Sequence, residues 1–164
     1  MTATSTALGA AELRRVFAAH PSGVVVLAAD GPTGRTGLAA SSFTSVSLDP
    51  ALVSVSIAAT SSTWPALRRA ERIGISVLAE HHEPVSRQLS AKAADRFAGF
   101  GWRTEPSGAV VLDGAAAWFE TSIYREVEAG DHTLVLLRIH ALDAHPSASP
   151  LVFHGSGYRR LADG

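Results

Sequence analysis

The chain has 164 residues, of which 46% are hydrophobic and 18% charged, and its formal net charge is −1. These proportions predict an ordered core. The near-neutral charge excludes the basic surface that binding to nucleic acid or to an anionic membrane requires. Cysteine is absent, which excludes disulfides, thiolate nucleophiles, iron–sulfur clusters and cysteine-based zinc sites.

The first ten residues are small and polar, without a basic start or an apolar signal core. We expect residues 1–10 to form a flexible N-terminal tail and residues 11–164 to form one domain. The longest apolar runs are far shorter than a membrane span. The sequence therefore predicts a soluble, cytoplasmic protein.

The first third predicts a helix followed by a hairpin. Leu13, Val16 and Phe17 share one face of a short amphipathic helix over Ala10 to Ala19. A β-branched strand, Val24 to Ala28, then leads into a dense turn signal at Asp30 to Gly34. A strand that carries Thr36 to Ser42 would return on the other side of this turn.

The middle of the chain alternates strands and helices. Apolar residues and serine alternate over Leu52 to Ile57, as in a half-buried strand. Thr63 is suited to cap a helix that has Pro65 in its first turn and continues from Ala66 to Glu71. Two further elements are predicted here, a strand over Ile73 to Leu78 and a helix over Glu83 to Ala94.

The last third returns to β structure after a loop-like stretch, Gly99 to Gly114. Two long strands, Ala115 to Arg125 and Thr133 to Ala144, flank a hairpin turn at Glu128 to Asp131, and a short strand follows at Leu151 to Phe153. No regular βαβ alternation is present. The pattern favours a mainly β fold, a closed or nearly closed antiparallel barrel with peripheral helices.

The run from Thr36 to Pro50 consists mostly of small and hydroxyl side chains. Small side chains let a flat ligand lie against the backbone, where N–H and C=O groups contact its edges. Hydroxyls can bind phosphate oxygens, and the candidates are Ser41, Ser42, Ser62 and Thr63. This layout suits a planar, phosphate-tailed cofactor, although serine-rich turns also occur simply as turns.

Other kinds of site have weak support. The glycines do not match the dinucleotide-binding fingerprint, and neither a P-loop nor a Gly-x-Ser-x-Gly elbow occurs. The adjacent His81 and His82 would point in different directions, and no His-Glu-x-x-His pattern is present, so we predict no metal site.

Two local groups remain open to more than one interpretation. At the predicted turn, Asp131 could orient His132 towards a ligand or could simply satisfy the turn backbone. Arg96 could contact an anionic cofactor tail while Phe97 stacks on a ring. A solvent-facing arginine beside a core phenylalanine is an equally good local explanation.

Taken together, these motifs resemble the flavin reductase family with the FMN-binding split-barrel fold, the small reductase components of two-component flavin-dependent monooxygenases. The resemblance covers about Phe17 to Leu161, and the only departure noted is Ala39, where the family commonly has threonine. The matching segments, in the family's order, are Pro21 to Val24, Gly37 to Pro50, Ser62-Thr63, Asp95 to Gly99, Gly130 to Thr133, Pro150 to Phe153, and Tyr158.

The resemblance implies a homodimer in which each split barrel binds one flavin near the subunit interface. Leu38 to Ser42 would line the isoalloxazine, and His132 would lie close to the nicotinamide as the catalytic residue. Tyr158 would border the same cleft. The full set of implied cofactor-binding residues is Gly37, Leu38, Ala39, Ala40, Ser41, Ser42, Ser47, Ala58, Ser62, Thr63, Arg96, Phe97, His132 and Tyr158.

The implied activity is hydride transfer from NADH or NADPH to FAD or FMN, with free reduced flavin passing by diffusion to a separate monooxygenase. An alternative is a non-catalytic flavin carrier or redox sensor on the same fold. A split-barrel oxidase acting on pyridoxine phosphate or on a deazaflavin is less favoured, because Arg96 is the one obvious arginine among the phosphate-facing candidates. The sequence does not distinguish FAD from FMN or NADH from NADPH.

Overall fold

The structure is a computed structural model that describes residues 8–92 and 95–162. Residues 1–7 of the predicted tail and residues 93–94 of the helix predicted over Glu83 to Ala94 lie outside the described residues. Within the described parts of the chain, none of the helices combines the length and the apolar character needed to cross a membrane.

Strands make up most of the regular structure. Three α-helices are described, α1 (Ala10–Phe17), α2 (Trp64–Leu67) and α3 (Glu83–Ser90), and a 3-10 helix covers Glu80–His82. The strands are β1 (Ser22–Gly23), β2 (Val25–Gly31), β3 (Gly34–Ala40), β4 (Thr44–Leu48), β5 (Ala51–Ala58), β6 (Ile73–Val77), β7 (Trp102–Thr104), β8 (Val110–Leu112), β9 (Ala117–Ala129), β10 (His132–Ala144), β11 (Val152–His154) and β12 (Gly157–Arg159).

Seven strands form one antiparallel sheet in the order β3-β2-β6-β9-β10-β5-β4. Its two edge strands, β3 and β4, are joined by only three residues, 41–43. Such a link spans roughly 14 Å, so the sheet must curl until its edges approach each other. The sheet is not closed by a ladder between these edges, and of the predicted alternatives the nearly closed barrel is the one observed.

One side chain joins the link between these edges to β5. Ser42 Oγ donates to the Ser56 carbonyl oxygen over 3.1 Å and accepts from the Ser56 N–H over 2.9 Å. In the β4–β5 ladder Thr44 pairs with Ser54, so Ser42 stands opposite Ser56 two residues further on. The hydroxyl thus continues the ladder where the backbones have diverged.

Apolar residues fill two cores, and β2 contributes to both of them. Val25 and Leu27 face the barrel interior with residues of β5, β6 and β10, whereas Val24 and Val26 face a second cluster. That second cluster contains α3, β8 and Leu151. A strand buried on both faces has no polar face to present, which explains the unbroken apolar run at this position.

Some predicted elements differ from the observed ones. The strand predicted over Leu52 to Ile57 is more buried than its alternation suggests, and even Ser54 is only 6% exposed. The predicted loop over Gly99 to Gly114 contains the β7–β8 hairpin, and β8 is fully buried.

The helix that follows Thr63 is also shorter than predicted, since α2 ends at Leu67. Thr63 makes no side-chain capping bond. Ser61 Oγ instead accepts from the Trp64 N–H over 3.2 Å. The Thr63 hydroxyl is engaged elsewhere, by Arg96.

Candidate functional site

A groove of about 350 Å³ opens where β3 and β5 diverge. One wall is formed by the end of β3 and the link to β4, from Leu38 to Ser42, and the other by the end of β5, from Ser56 to Ala58. Ser61 and His132 complete the lining. Because β3 is an edge strand, every second residue directs its backbone N–H and C=O away from β2, which leaves main-chain donors and acceptors along this wall.

A second cavity of about 290 Å³ adjoins this groove. The two are contiguous in sequence on both walls, because Gly37 precedes Leu38 and Ser62 follows Ser61. Its lining residues are Arg35, Thr36, Gly37, Ser62, Thr63, Ala66, Asp95, Arg96 and Phe97. The site is therefore elongated, with small neutral residues at one end and hydroxyls with two arginines at the other.

Arg96 is held in place at this second end. Its Nη1 donates to Thr63 Oγ1 over 2.9 Å and to the Gly37 carbonyl oxygen over 3.5 Å. The loop that carries it is held by Gln88, whose Nε2 donates to the carbonyl oxygens of Arg96 and Ala98 over 3.0 and 2.9 Å. A positioned guanidinium beside two hydroxyls is a suitable arrangement for a phosphate group.

Phe97 packs directly against the backbone of β3. A Cβ built on Gly37 would lie 2.9 Å from Phe97 Cζ and 2.8 Å from the Leu27 carbonyl oxygen. Only glycine permits this approach. Phe97 also makes an edge-on contact with Trp102, with the ring centroids 4.9 Å apart, and this contact gives the ring a structural role as well as a place in the site.

His132 stands at the rim of the groove, at the first position of β10, and pairs with Ala58 of β5. Its Nδ1 lies 2.7 Å from Asp131 Oδ1. A carboxylate only accepts hydrogen bonds, so Nδ1 is the protonated nitrogen and Nε2 is left for another partner. The hydrogen bond from His132 and then the electrostatic attraction of His132 hold the pKa of Asp131 below its ordinary value, and the charge of Arg14 is the smallest of the causes. The Asp131 carboxylate thus binds His132 and also interacts with the backbone of its own residue, so both sequence-based alternatives remain.

Two of the predicted cofactor-binding residues lie apart from this site. Ser47 lies on β4 and lines neither cavity. Tyr158 borders a separate cavity of about 140 Å³ that shares Ala39, Ala40 and Ser41 with the groove. There its hydroxyl is 2.8 Å from Ser86 Oγ, and Arg87 lies 5.0 Å from the ring centroid. The remaining predicted residues all line one or other part of the elongated site.

Sequence reasoning missed several residues of the site. Arg35 lines the phosphate-suited end, where it is 3.5 Å from Asp30 and donates to Thr104. Its position directly before the small-residue run was a usable signal. Gln88 had no such signal, because nothing local in the predicted helix indicates that its side chain binds the carbonyl oxygens of Arg96 and Ala98.

The histidines do not assemble a metal site. Within residues 8–92 and 95–162, no group of three or more His, Cys, Asp or Glu side chains is placed to hold an ion. His82 is buried, with its ring 4.0 Å from that of His81, and Nδ1 accepts from the Ala79 N–H. Burial lowers the pKa of His82 to about 4, so the ring is neutral at physiological pH.

Comparison with known proteins agrees with this geometry. The profile of the family described as "Flavin reductase like domain" matches residues 17–162. An NADH:FMN oxidoreductase from Rhodococcus erythropolis is 39% identical over 161 residues, which are 95% of this chain and 84% of the relative.

Two solved structures extend the comparison to the fold. A Streptomyces globisporus NADH:FAD oxidoreductase, in complex with NAD and FAD fragments, superposes with a TM-score of 0.88 at 34% identity, covering 93% of this chain and 92% of that one. The styrene monooxygenase flavin reductase from Pseudomonas putida S12 has a TM-score of 0.82 at 33% identity, with 92% and 97% of the two chains covered.

Proposed function

The chain belongs to the flavin reductase-like domain family, and from this premise we propose that it transfers a hydride from a reduced nicotinamide to FAD or FMN. The observation that carries the proposal is the elongated site, because small residues and free backbone groups at one end and Arg96 with Thr63 at the other match the two chemically different ends of a flavin nucleotide.

The residues present fit such a ligand. The phosphate would be held by Arg96, Ser62 and Thr63, and the isoalloxazine would lie along Leu38 to Ser42, where the edge strand offers main-chain donors and acceptors. Donors that face the flavin N1–C2=O edge stabilise negative charge on the reduced ring. The missing Cβ at Gly37 leaves room for Phe97 at the junction of the two ends.

We assign His132 to the nicotinamide. With Nδ1–H donated to Asp131, the Nε2 lone pair is available to accept a hydrogen bond from the carboxamide N–H of the nicotinamide. When both nucleotides are bound, the cofactors supply the chemistry, which is transfer of a hydride from nicotinamide C4 to flavin N5. The protein's task is to hold the two rings in contact, for which no acid or base is required.

The reduced flavin is the product that would leave. The groove is open to solvent, and no Lys, Arg, Asp or Glu is among the described residues that line its isoalloxazine end, so we infer that release is unhindered by strong ionic contacts there. Reductase components among its relatives serve monooxygenases, as the styrene monooxygenase flavin reductase does. We propose that a separate flavin-dependent monooxygenase receives the reduced flavin, in the cytoplasm.

We also propose a homodimer. Strand β4 is an edge of the sheet, and its apolar side chains are exposed, with Leu48 97% and Val46 46% accessible. Leu142 on β10 is 60% exposed as well. An exposed edge strand with apolar side chains is a surface that a folded protein usually covers, and a second copy of the chain is the occupant that we expect.

The test is a steady-state assay of the purified protein with each combination of NADH or NADPH and FAD or FMN, followed by the loss of nicotinamide absorbance. We expect flavin-dependent oxidation with at least one combination, well above the rate without protein. If no combination exceeds that background, the proposal is wrong.

The same preparation distinguishes a reductase from the non-catalytic flavin carrier considered above. A carrier should retain its flavin through desalting, remain yellow and ignore NADH. A reductase that releases its product should lose flavin on desalting and consume NADH when flavin is restored. Retention of flavin without NADH oxidation would therefore favour the carrier.

A further inference from the structure

Helix α1 forms one side of a second groove, of about 470 Å³, that adjoins the site. Arg14, Phe17 and Ala18 line it from α1, and Phe153 and the turn from His154 to Ser156 line the opposite side. Ser41 and Ser42 belong to both this groove and the isoalloxazine end of the flavin groove. The two grooves therefore meet at the link between β3 and β4, where these two serines lie.

Arg14 presents an uncommitted positive charge at this junction. No residue of α1 is buried. Its neighbour Arg15 is bound to Glu12 over 2.6 Å, whereas Arg14 makes no ion pair or side-chain hydrogen bond with the described residues. Arg14 lines the groove that shares Ser41 and Ser42 with the isoalloxazine end of the site, and it does not line the end that contains Arg96.

A cation of this kind suits a nicotinamide dinucleotide, whose diphosphate carries two negative charges and whose adenosine is a large aromatic group. With the nicotinamide next to His132, both groups need a surface beyond that contact. The opposite end is taken by the flavin phosphate at Arg96, whereas the groove beside α1 joins the isoalloxazine end at Ser41 and Ser42. There the Phe17 ring, 67% exposed, offers an apolar surface close to Arg14.

We propose that Arg14 binds the diphosphate of the reduced nicotinamide dinucleotide, with the adenosine half lying in the groove between α1 and the His154–Ser156 turn. This inference rests on the proposed function, because it assigns the binding of the hydride donor in that reaction. Arg14 contacts the donor and takes no part in the transfer itself, so it should affect KM for the donor more than kcat.

The experiment compares Arg14→Ala with Arg15→Ala, a matched change on the same helix. Arg14→Ala should raise KM for NADH about 5- to 10-fold, as expected for loss of one charge-assisted contact near the surface, with kcat and the KM for flavin unchanged. It should also weaken the dependence of kcat/KM for NADH on ionic strength. Arg15→Ala should behave as the wild type.

A donor without phosphates, 1-benzyl-1,4-dihydronicotinamide, separates charge recognition from disturbance of the fold. Arg14→Ala and the wild type should oxidise it equally well. The inference is overturned if KM for NADH is unchanged in Arg14→Ala, if both donors are affected alike, if only the KM for flavin rises, or if the variant changes its sedimentation behaviour. A wild type that oxidises neither donor would instead reject the proposed function.

Discussion

Single residues at the rim of the groove derive their roles from their immediate neighbours. His132 follows Asp131 in sequence, and the two side chains meet at 2.7 Å because the turn places them together at the start of β10. The side chain of His132 is 44% exposed. Its Nδ1 faces the Asp131 carboxylate, and the ring borders the groove. Arg96, in contrast, contacts two residues that are distant in sequence, Thr63 and Gly37.

We expect His132→Ala to raise KM for NADH roughly 3- to 10-fold, because it removes one hydrogen-bond acceptor for the nicotinamide. The KM for flavin should change little. His140→Ala is the control, since His140 lies on the same strand but contacts Ser122 at 2.7 Å and lines neither cavity of the site. An unchanged KM and kcat in His132→Ala would remove this residue from the site.

Arg96→Ala should weaken the binding of FMN about 10- to 100-fold, the range for loss of a charge-assisted hydrogen bond to phosphate. Riboflavin, which has no phosphate, should bind the variant and the wild type alike in a fluorescence titration. Arg103→Ala serves as the control, because Arg103 is paired with Glu105 outside the site. Equal losses for FMN and riboflavin would indicate that Arg96 acts only through the fold.

The elements of the fold position the site through close backbone contacts. Strand β6 lies between β2 and β9 in the sheet, and β8 crosses its outer face so closely that a Cβ on Gly74 would meet the backbone of Val110. This contact places β8 in the second core beside α3. Since Gln88 of α3 holds the loop of Arg96, the packing of β8 on β6 also supports the phosphate end.

Gly74→Ala should therefore lower the free energy of unfolding by about 3 kcal/mol or more, because the added methyl must displace main chain rather than a flexible side chain. Gly23→Ala is a suitable control, with no atom within 4 Å of the built Cβ. Urea denaturation of both variants provides the measurement. A Gly74→Ala variant as stable as the control would show that β8 is free to move away.

At the scale of the whole molecule, two features affect behaviour in solution. They are the buried imidazole of His82 and the exposed apolar side chains of edge strand β4. His82 is buried against His81 and the loop after β8, where Gly114 lies close to both rings. Leu48 on β4 is almost fully exposed. The first feature links folding to pH and the second links it to self-association.

Stability should fall as the pH is lowered from about 6.5 towards 4. The pKa of His82 drops from 6.5 to about 4 on folding, chiefly because burial disfavours the charged ring. Within this window the unfolded chain binds a proton that the folded chain does not, so the free energy of unfolding decreases with decreasing pH, by at most about 3 kcal/mol. Above pH 6.5 this contribution is fully present.

Urea denaturation at about pH 7.5 and about pH 5 measures this dependence. His82→Gln should reduce the difference between the two pH values, whatever its effect on stability at either one. His81→Gln should keep most of the difference, because burial rather than the neighbouring charge is the main cause of the shift. An identical pH dependence in His82→Gln and the wild type would contradict the assignment.

Leu48→Asp should shift the protein from dimer to monomer in analytical ultracentrifugation, since it places a charge on the exposed apolar edge strand proposed as the interface. Leu161→Asp is the matched control, a change at another exposed leucine outside the strands. If the wild type is monomeric at all accessible concentrations, or if Leu48→Asp remains dimeric, β4 is not the contact surface.

Local sequence patterns determined a large part of the fold and of the site. The β-rich class, the hairpin turns near Gly31 to Gly34 and Gly130 to Asp131, and the small-residue wall of the groove follow from residue types that act over a few positions. The neighbours Asp131 and His132 belong to the same category. For these features the physical cause lies within one turn or one strand, so the linear sequence contains it.

Only the tertiary structure decided how distant segments meet. It assigned the Thr63 hydroxyl to Arg96 instead of to a helix cap, buried β8 inside a predicted loop, and brought Arg35 to the phosphate end. It also placed Arg14 within electrostatic reach of Asp131. These contacts join residues tens of positions apart, and their existence depends on how the curled sheet brings its edges together, which no local periodicity encodes.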